Sequence, residues 1–191
     1  MSRIGSFSKV LTSALLCLLL ASTTVAAKEP EEDRAKIREQ SAEVLQRLYA
    51  AQPSARSVIA GSAGYATFSR IGLTLGVVGG GVGKGLAVAV PSKKETFMRF
   101  VEGSAGLGLG IKKYDVIFVF QNAAAMNDFV TKGWEAGGQA TAAAKVDDKG
   151  KAVEGAVSVS PGVWVYQITG KGLAAELGIK GTKYYADKDL N

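Results

Sequence analysis

Side chains able to perform acid–base, nucleophilic or metal chemistry are scarce in this sequence. The 191 residues contain no histidine, and the one cysteine is Cys17. A Ser-His-Asp or Cys-His relay, an imidazole base, a His-ligated haem and a His/Cys zinc site are therefore excluded. The carboxylates considered as an acid–base pair are Glu102, Asp115, Glu135 and Glu176. Their spacing gives no sign that two of them converge, so the composition favours a non-enzymatic protein without a cofactor.

The glycine-rich run Gly79–Gly85 does not fit a nucleotide-binding loop. A phosphate loop has the pattern Gly-x-x-x-x-Gly-Lys-Ser/Thr. With Gly83-Lys84 in place, the first position is Val78 and the last is Gly85, so both ends miss. The dinucleotide pattern Gly-x-Gly-x-x-Gly also fails, because the sixth residue is never glycine. A closely packed glycine strand is the favoured interpretation of this run.

Basic side chains are the remaining candidates for a functional surface. Lys and Arg number 23 against 17 Asp and Glu, a formal charge of +6. A group of lysines at one end of a sheet would hold anionic headgroups, at about 1 kcal/mol for each lysine. Lysines at turns and edges also keep a sheet protein soluble, and this alternative stays open. The candidates, near predicted turns around residues 95–103, are Lys93, Lys94, Arg99, Lys112 and Lys113. No aromatic residues interleave with a basic run, so a nucleic-acid partner is not expected.

The N-terminal segment Met1–Ala27 has the three-part form of an export signal. A basic start is followed by the apolar run Val10–Ala21 and then by small residues before a charged stretch. The run is shorter than the ~20 residues that a spanning helix needs. Cys17 follows the large residue Leu16 inside this run, which disfavours a lipoprotein anchor. We expect a cleaved signal and export to the periplasm, or secretion, with a retained anchor as the alternative.

The segment 28–56 combines a charged leader with an amphipathic helix. Lys28–Asp33 is charged and contains a proline, which predicts a flexible lead-in. Apolar residues recur at helical spacing from Arg34 to about Ala51, and Pro53 marks the end. The polar face of this helix mixes both charge signs. Packing of its apolar stripe on the domain is therefore favoured over a position on a membrane surface.

The hydrophobic period changes from 3.6 to 2 in the following region. Glycine alternates with aliphatic residues over 71–90 and 106–111. Glycine is costly inside a strand, so its repetition on one face indicates a close neighbour. That neighbour would be a helix, a second sheet or a coiled barrel wall.

The second half of the chain predicts one central strand, a short helix and several further strands. Asp115–Phe120 is continuously apolar after its first residue, as in a strand buried on both faces. Asn122 would cap a helix that runs to about Thr131, with Gly133 past its end. Further strands, separated by turns that include 147–150, are predicted at Val153–Ser160, Val163–Thr169 and Leu173–Lys180. The expected fold class is α+β, an antiparallel sheet of about eight or nine strands, barrel-like or in two packed sheets.

The order of these elements carries a family resemblance. The segments concerned are Ala60–Phe68, Ile71–Val90, Gly106–Gln121, Asn122–Phe129, Gly133–Lys145 and Gly172–Tyr185. In this order they resemble the SYLF family, also called the Ysc84-type or DUF500 domain. The resemblance implies that residues 57–191 form one β-rich domain that binds lipids, phosphoinositides in particular. It also implies that eukaryotic relatives work beside actin regulators, often with an SH3 domain.

This chain departs from the eukaryotic pattern at its N-terminus. The basic amphipathic start of the eukaryotic proteins is replaced by the acidic leader Glu29–Asp33, and no SH3 extension is expected. No binding residue of that region is therefore carried over. We expect an exported, non-enzymatic domain that binds anionic phospholipid headgroups at an envelope membrane. The alternative is a structural or protein-interaction module of the envelope, with a protein partner and no lipid ligand.

Overall fold

The computed structural model describes residues 29–136, 155–174 and 181–191, with residues 71–79 and 104–112 described by their backbone alone. Three helices and seven strands lie in these ranges. The helices are α1 (Glu29–Ala51), α2 (Ala55–Ala60) and α3 (Ala123–Lys132). The strands are β1 (Gly64–Ala89), β2 (Glu95–Phe120), β3 (Trp134–Glu135), β4 (Val157–Ser160), β5 (Val163–Thr169), β6 (Gly172–Leu173) and β7 (Thr182–Ala186).

A long two-stranded ribbon forms the centre of the fold. Strands β1 and β2 pair in antiparallel fashion from Gly64 opposite Phe120 to Val88 opposite Glu95, with one irregularity between Gly76 and Val78. The glycine-rich stretches that predict separate short strands are thus parts of two continuous strands. Glycine weakens a strand but still donates and accepts the ladder hydrogen bonds, so the pairing is not interrupted.

The ribbon turns back on itself. Strand β1 has 26 residues, which would span about 86 Å if straight, at ~3.3 Å per residue. Nevertheless, the N–H of Val90 donates a hydrogen bond of 3.1 Å to the carbonyl of Ala63, so the two ends of the strand meet. Gly85 lies against the ring of Phe68 and the carbonyl of Thr67, where a Cβ would collide with both. The predicted close approach to a glycine face is therefore confirmed at this position.

The remaining strands extend β2 along its other edge. The sheet order is β3-β7-β2-β5-β4, with β1 paired to β2 and β6 paired to β5. β5 pairs with Tyr114–Phe120 of β2, whereas β7 pairs with its Met98–Glu102 part. All these pairings are antiparallel, and the sheet is curled into a half-barrel. The expected α+β, sheet-dominated fold is confirmed.

The strand Asp115–Phe120 separates two hydrophobic clusters, as its apolar run predicts. Phe118 packs with the rings of Phe68, Phe129 and Tyr184 on the inner face of the curled sheet. On the outer face, Ile117 packs against α1 and α2 in a second cluster. Residues Val116 to Phe120 are fully buried for this reason.

The helices differ from the prediction at one end. The lead-in predicted at Lys28–Asp33 is helical from Glu29 onward. Pro30 is compatible with a first helical turn. The Glu31 carboxylate accepts a hydrogen bond of 3.1 Å from Arg38, which lies seven residues further along the helix. The predicted cap of α3 is confirmed, because the Asn122 side chain accepts a 2.9 Å hydrogen bond from the backbone N–H of Ala125.

Some predicted features lie outside the described residues. These are the signal at Met1–Ala27, the turn at 147–150, the start of the strand at Val153–Ser160 and residues 175–180 of the last predicted strand. Within the described residues, the strand predicted at Val153–Ser160 is observed as β4, and β5 occupies the whole of the predicted Val163–Thr169.

Candidate functional site

The five basic residues predicted as headgroup ligands are not brought together. Lys93 and Lys94 are exposed in the turn between β1 and β2, next to the end of β2 at Phe120. Lys113 is exposed immediately before Tyr114, and Lys112 is paired with Gly72 in the ribbon. The stretch Tyr114–Phe120 lies between the two groups and spans about 20 Å. The two lysine pairs therefore occupy opposite ends of the core sheet.

Arg99 is already held by two carboxylates. Its Nε donates a 2.7 Å hydrogen bond to Asp187, and its Nη2 donates a 2.9 Å hydrogen bond to Asp189. Asp187 is fully buried, and its hydrogen bond raises the pKa of the Arg99 guanidinium. Two acidic groups thus face one cation. The observed role of Arg99 is to fasten the C-terminal residues to β2.

An uncovered face of the sheet lies beside this arginine. Val82 of β1, Val101 of β2 and Lys183 of β7 form a cross-strand row, and all three are exposed. Val82 is 78% exposed and Val101 is 41% exposed, which is unusual for adjacent valines on a sheet. Tyr185, 38% exposed, lies two pairs further along β7, opposite Arg99 and on the same face. Helix α1 covers the neighbouring part of the same sheet, where Ile37 packs on Leu86 and Phe97, but not this row.

We call the group Val82, Val101, Lys113, Lys183 and Tyr185 the ribbon end. Neither Lys113 nor Lys183 forms an ion pair with any residue that the structure describes. Glu135 is the cross-strand neighbour of Lys183 without being ion-paired to it. The nearby Lys84, in contrast, is paired with Asp33 of α1 at 2.5 Å. The cations that remain available at the ribbon end are thus Lys113 and Lys183.

Beneath the ribbon end lies a buried polar cluster around Arg70. The guanidinium donates hydrogen bonds to the Tyr114 hydroxyl at 2.8 Å and to the Thr182 hydroxyl at 2.7 Å. Its Nη2 lies 3.2 Å from a carboxylate oxygen of Glu102. The Arg70 side chain is fully buried and the Glu102 side chain is 12% exposed. Within the described ranges, the Arg70 Nε finds no hydrogen-bond acceptor.

Aromatic rings surround this guanidinium. The Arg70 Cζ lies 4.5 Å from the centre of the Phe100 ring, 5.2 Å from that of Tyr114 and 5.7 Å from that of Tyr184. Burial raises the pKa of the Tyr114 and Tyr184 hydroxyls, so both stay neutral at physiological pH. The rings and the neutral hydroxyls can hold a cation in place by cation–π contact and hydrogen bonding. The cluster offers no activated nucleophile.

Neither feature has a direct signal in the order of the residues. Arg70, Glu102, Tyr114 and Thr182 are separated by up to 112 residues, and they meet only because the ribbon turns back and β7 pairs with β2. The exposed valines follow the ordinary alternation of a strand. Their position beyond the edge of α1 depends on how far the helix reaches, which the periodicity does not specify.

Among the helices in the described ranges, none combines the length and the apolar character that crossing a membrane requires. The same part of the chain holds no group of three or more acidic, histidine or cysteine side chains arranged to ligate a metal ion.

The fold and the site define a sheet-dominated α+β domain built on one doubled-back ribbon. Residues 101–191 match the Ysc84 family model, which is described as "Las17-binding protein actin regulator". Beta cell expansion factor A of Aeromonas veronii is 33% identical over 163 residues. This alignment covers 85% of the present chain but only 60% of the relative, so the chain spans little more than half of that protein's length.

The chain is a SYLF-domain protein, with the match to the Ysc84 type over residues 101–191. The resemblance seen in the order of its glycine-rich and aliphatic segments is thereby confirmed. The matched region begins inside β2 and includes Glu102, Lys113, Tyr114, Thr182 and Lys183. No enzymatic activity is known for this family.

Proposed function

We propose that this SYLF domain associates with the surface of membranes that contain anionic phospholipid, and that the ribbon end makes the contact. The observation that carries the proposal is the exposed pair Val82 and Val101 beside the unpaired Lys183 on an uncovered sheet face. Aliphatic tips, a tyrosine and lysines are the side chains that suit the boundary between headgroups and acyl chains.

The geometry supports a single contact area. Lys113 directly precedes Tyr114, and Lys183 directly follows Thr182. Tyr114 and Thr182 both hydrogen bond to the guanidinium of Arg70, so the backbones that carry the two lysines lie on either side of one buried cluster. Val101 pairs with Lys183 across β2 and β7. Val82, Val101 and Lys183 therefore present one contact area, and Lys113 points away from the buried cluster on its other side, because successive side chains of a strand alternate between faces.

The binding free energies expected from the individual side chains at such a contact are modest, and they add to one another. Each lysine near an anionic surface contributes about 1 kcal/mol, and burial of an exposed valine contributes up to about 1.5 kcal/mol. A reversible, salt-sensitive association is therefore the expected behaviour. Within the proposal, the segment Met1–Ala27 directs export, and the membrane is that of the cell envelope.

Sedimentation with vesicles tests the proposal. The protein is mixed with vesicles of phosphatidylcholine, with or without phosphatidylglycerol, at low and high salt. We expect capture only by the anionic vesicles and a marked loss at high salt, because salt screens the lysine contribution. Absence of enrichment on anionic vesicles contradicts the proposal. In that case, recovery of one stoichiometric protein partner without copurifying lipid would instead favour an envelope interaction module.

A matched pair of variants locates the contact. The double variant Lys113→Glu/Lys183→Glu alters the ribbon end, whereas Lys93→Glu/Lys94→Glu makes the same change of charge at the opposite end of the sheet. All four side chains are exposed, so neither variant should unfold the domain. We expect the first variant to lose about thirtyfold or more in vesicle affinity, because two lysines at about 1 kcal/mol each amount to about 2 kcal/mol, and the second to change little. Loss of capture only in the second variant would move the contact to the turn between β1 and β2.

A further inference from the structure

The buried cluster around Arg70 joins the two places where the ribbon leaves the body of the domain. We call the paired residues 71–79 and 104–112 the ribbon loop. One foot of the loop is the cross-strand pair Arg70 and Tyr114, and the other is the pair Gly81 and Glu102. About 36 Å of straight strand would separate these feet along β1. Their side chains nevertheless touch, because Arg70 lies 3.2 Å from Glu102.

The sequence of the ribbon loop offers little that could form an ion pair between these two feet. Residues 71–79 and 104–111 contain no charged side chain, and seven of them are glycine or alanine; the charged residue of the ribbon loop is Lys112. The ladder between the two strands joins the strands to each other and does not fix the angle at which the ribbon turns back. The contacts of Arg70 with Glu102 and Thr182 do fix that angle, since they reach across from the first foot to the second.

The composition of this cluster suits a conformational change better than simple stabilisation of the fold. A buried ion pair is repaid only where the remaining polar atoms are also satisfied, and apolar packing of similar volume is often as stable. Here the Arg70 Nε lacks an acceptor among the described residues. Glu102, its carboxylate partner, keeps an edge in contact with solvent, whereas Arg70 keeps none. Water therefore reaches the pair only on the side of Glu102.

We infer that the Arg70–Glu102 pair is a clasp that holds the ribbon loop against the domain, and that neutralising Glu102 releases the loop. The groups that face the pair are Tyr114 from β2 and Thr182 and Tyr184 from β7. All three are neutral, so none of them replaces the lost carboxylate. A guanidinium left buried without a counter-ion is strongly unfavourable. Opening of the loop beside Glu102 exposes the guanidinium to water and restores its hydration.

Hydrogen–deuterium exchange without lipid tests the clasp directly. In the isosteric variant Glu102→Gln at neutral pH, we expect protection of the loop amides at 71–79 and 104–112 to fall about tenfold. Protection of the core amides at 116–119 should change by less than about twofold.

Two results would overturn the clasp. One is unchanged loop protection in Glu102→Gln. The other is an equal fall in the loop and the core, which would indicate loss of global stability alone. Tyr114→Phe removes only the hydroxyl that accepts a hydrogen bond from Arg70, so the test survives if Glu102→Gln does not fold. Tyr114→Phe should give a smaller fall confined to the loop.

The meaning of the clasp for membranes rests on the proposed function, and a second measurement separates the two. Release frees the ribbon loop, which lies next to the ribbon end. We therefore expect Glu102→Gln to increase capture by phosphatidylglycerol vesicles about threefold at neutral pH. A faster-exchanging loop without any vesicle capture, in wild type and variant alike, would refute the proposed function and leave the clasp standing. Normal capture with unchanged exchange would refute the clasp alone.

Discussion

A single added methyl group at Gly85 probes the turning back of the ribbon. The backbone of Gly85 faces the ring of Phe68 and the carbonyl oxygen of Thr67, both in the first half of the same strand. A Cβ built there would come closer to both than van der Waals contact allows. Phe68 is fully buried and packed among other rings, so it has little room to move. The carbonyl of Thr67 belongs to the ladder and cannot move at all without loss of pairing.

The cost of Gly85→Ala follows from this geometry. Overpacking of a well-packed core costs about 1–3 kcal/mol, and the fixed carbonyl places this variant toward the upper part of that range. Gly103→Ala is the matched control, because it lies in the partner strand and a Cβ there meets nothing within 4 Å. Neither glycine has a positive φ, so alanine is conformationally allowed at both positions. At Gly103, alanine should be neutral or stabilising by up to about 1 kcal/mol.

Urea unfolding followed by far-ultraviolet circular dichroism measures the difference. We expect the midpoint of Gly85→Ala to fall and that of Gly103→Ala to stay the same or rise, with equal slopes. The corresponding melting temperatures should differ by about 4–12 °C for a chain of this length. Equal midpoints for the two variants would mean that Gly85 does not face Phe68 in solution, and the doubled-back ribbon would then be wrong.

Two further predictions concern the helices. Asn122→Ala removes the side-chain acceptor for the N–H of Ala125 and should destabilise the domain by about 1 kcal/mol, whereas exposed Asn127→Ala in the same helix should not, as urea midpoints will show. Hydrogen bonds from Arg38 and Arg34 hold the pKa of Glu31 below its ordinary value of 4.5. Its stabilising contribution is therefore complete above that value and is lost as the pH falls through the lower folded pKa. Amide protection in the first turns of α1 should fall on acidification, and Glu31→Gln should abolish that dependence; an unchanged dependence would assign it to other groups.

Features set by neighbouring residues were predictable from the chain. The helix α3 follows from Asn122 at its start and Gly133 after its end, because caps act within one turn. The strand through Asp115–Phe120 follows from a continuous apolar run, which a strand buried on both faces requires. The class of fold follows from the change of hydrophobic period. These are local rules, so the surrounding structure could only confirm them.

Glycine alternation in the ribbon was only partly informative. It indicated that something approaches the backbone closely, but a helix, a second sheet and a coiled wall satisfied it equally well. In the structure, the neighbour of Gly85 is Phe68 of the same strand. The glycine pattern indicates that a neighbour packs closely on the backbone, but it does not identify that neighbour.

The lysines show the same limit from the side of function. Spacing along the sequence put Lys93, Lys94, Lys112 and Lys113 near turns on either side of one segment. Because the ribbon is continuous and turns back, the two pairs lie at opposite ends of the core sheet. The ion pairs of Arg99 with Asp187 and Asp189 could not be predicted either, because the two aspartates come from the far end of the chain.

The sequence by itself determined the exclusion of histidine and cysteine chemistry, the α+β class and the order of segments that marks the family. Those properties depend on composition and on contacts between near neighbours. Only the tertiary structure decided that Arg70 meets Glu102 and Thr182, and that Val82 and Val101 stay uncovered. Such contacts join residues far apart in the chain, and their geometry exists only once the ribbon has folded back and α1 has docked.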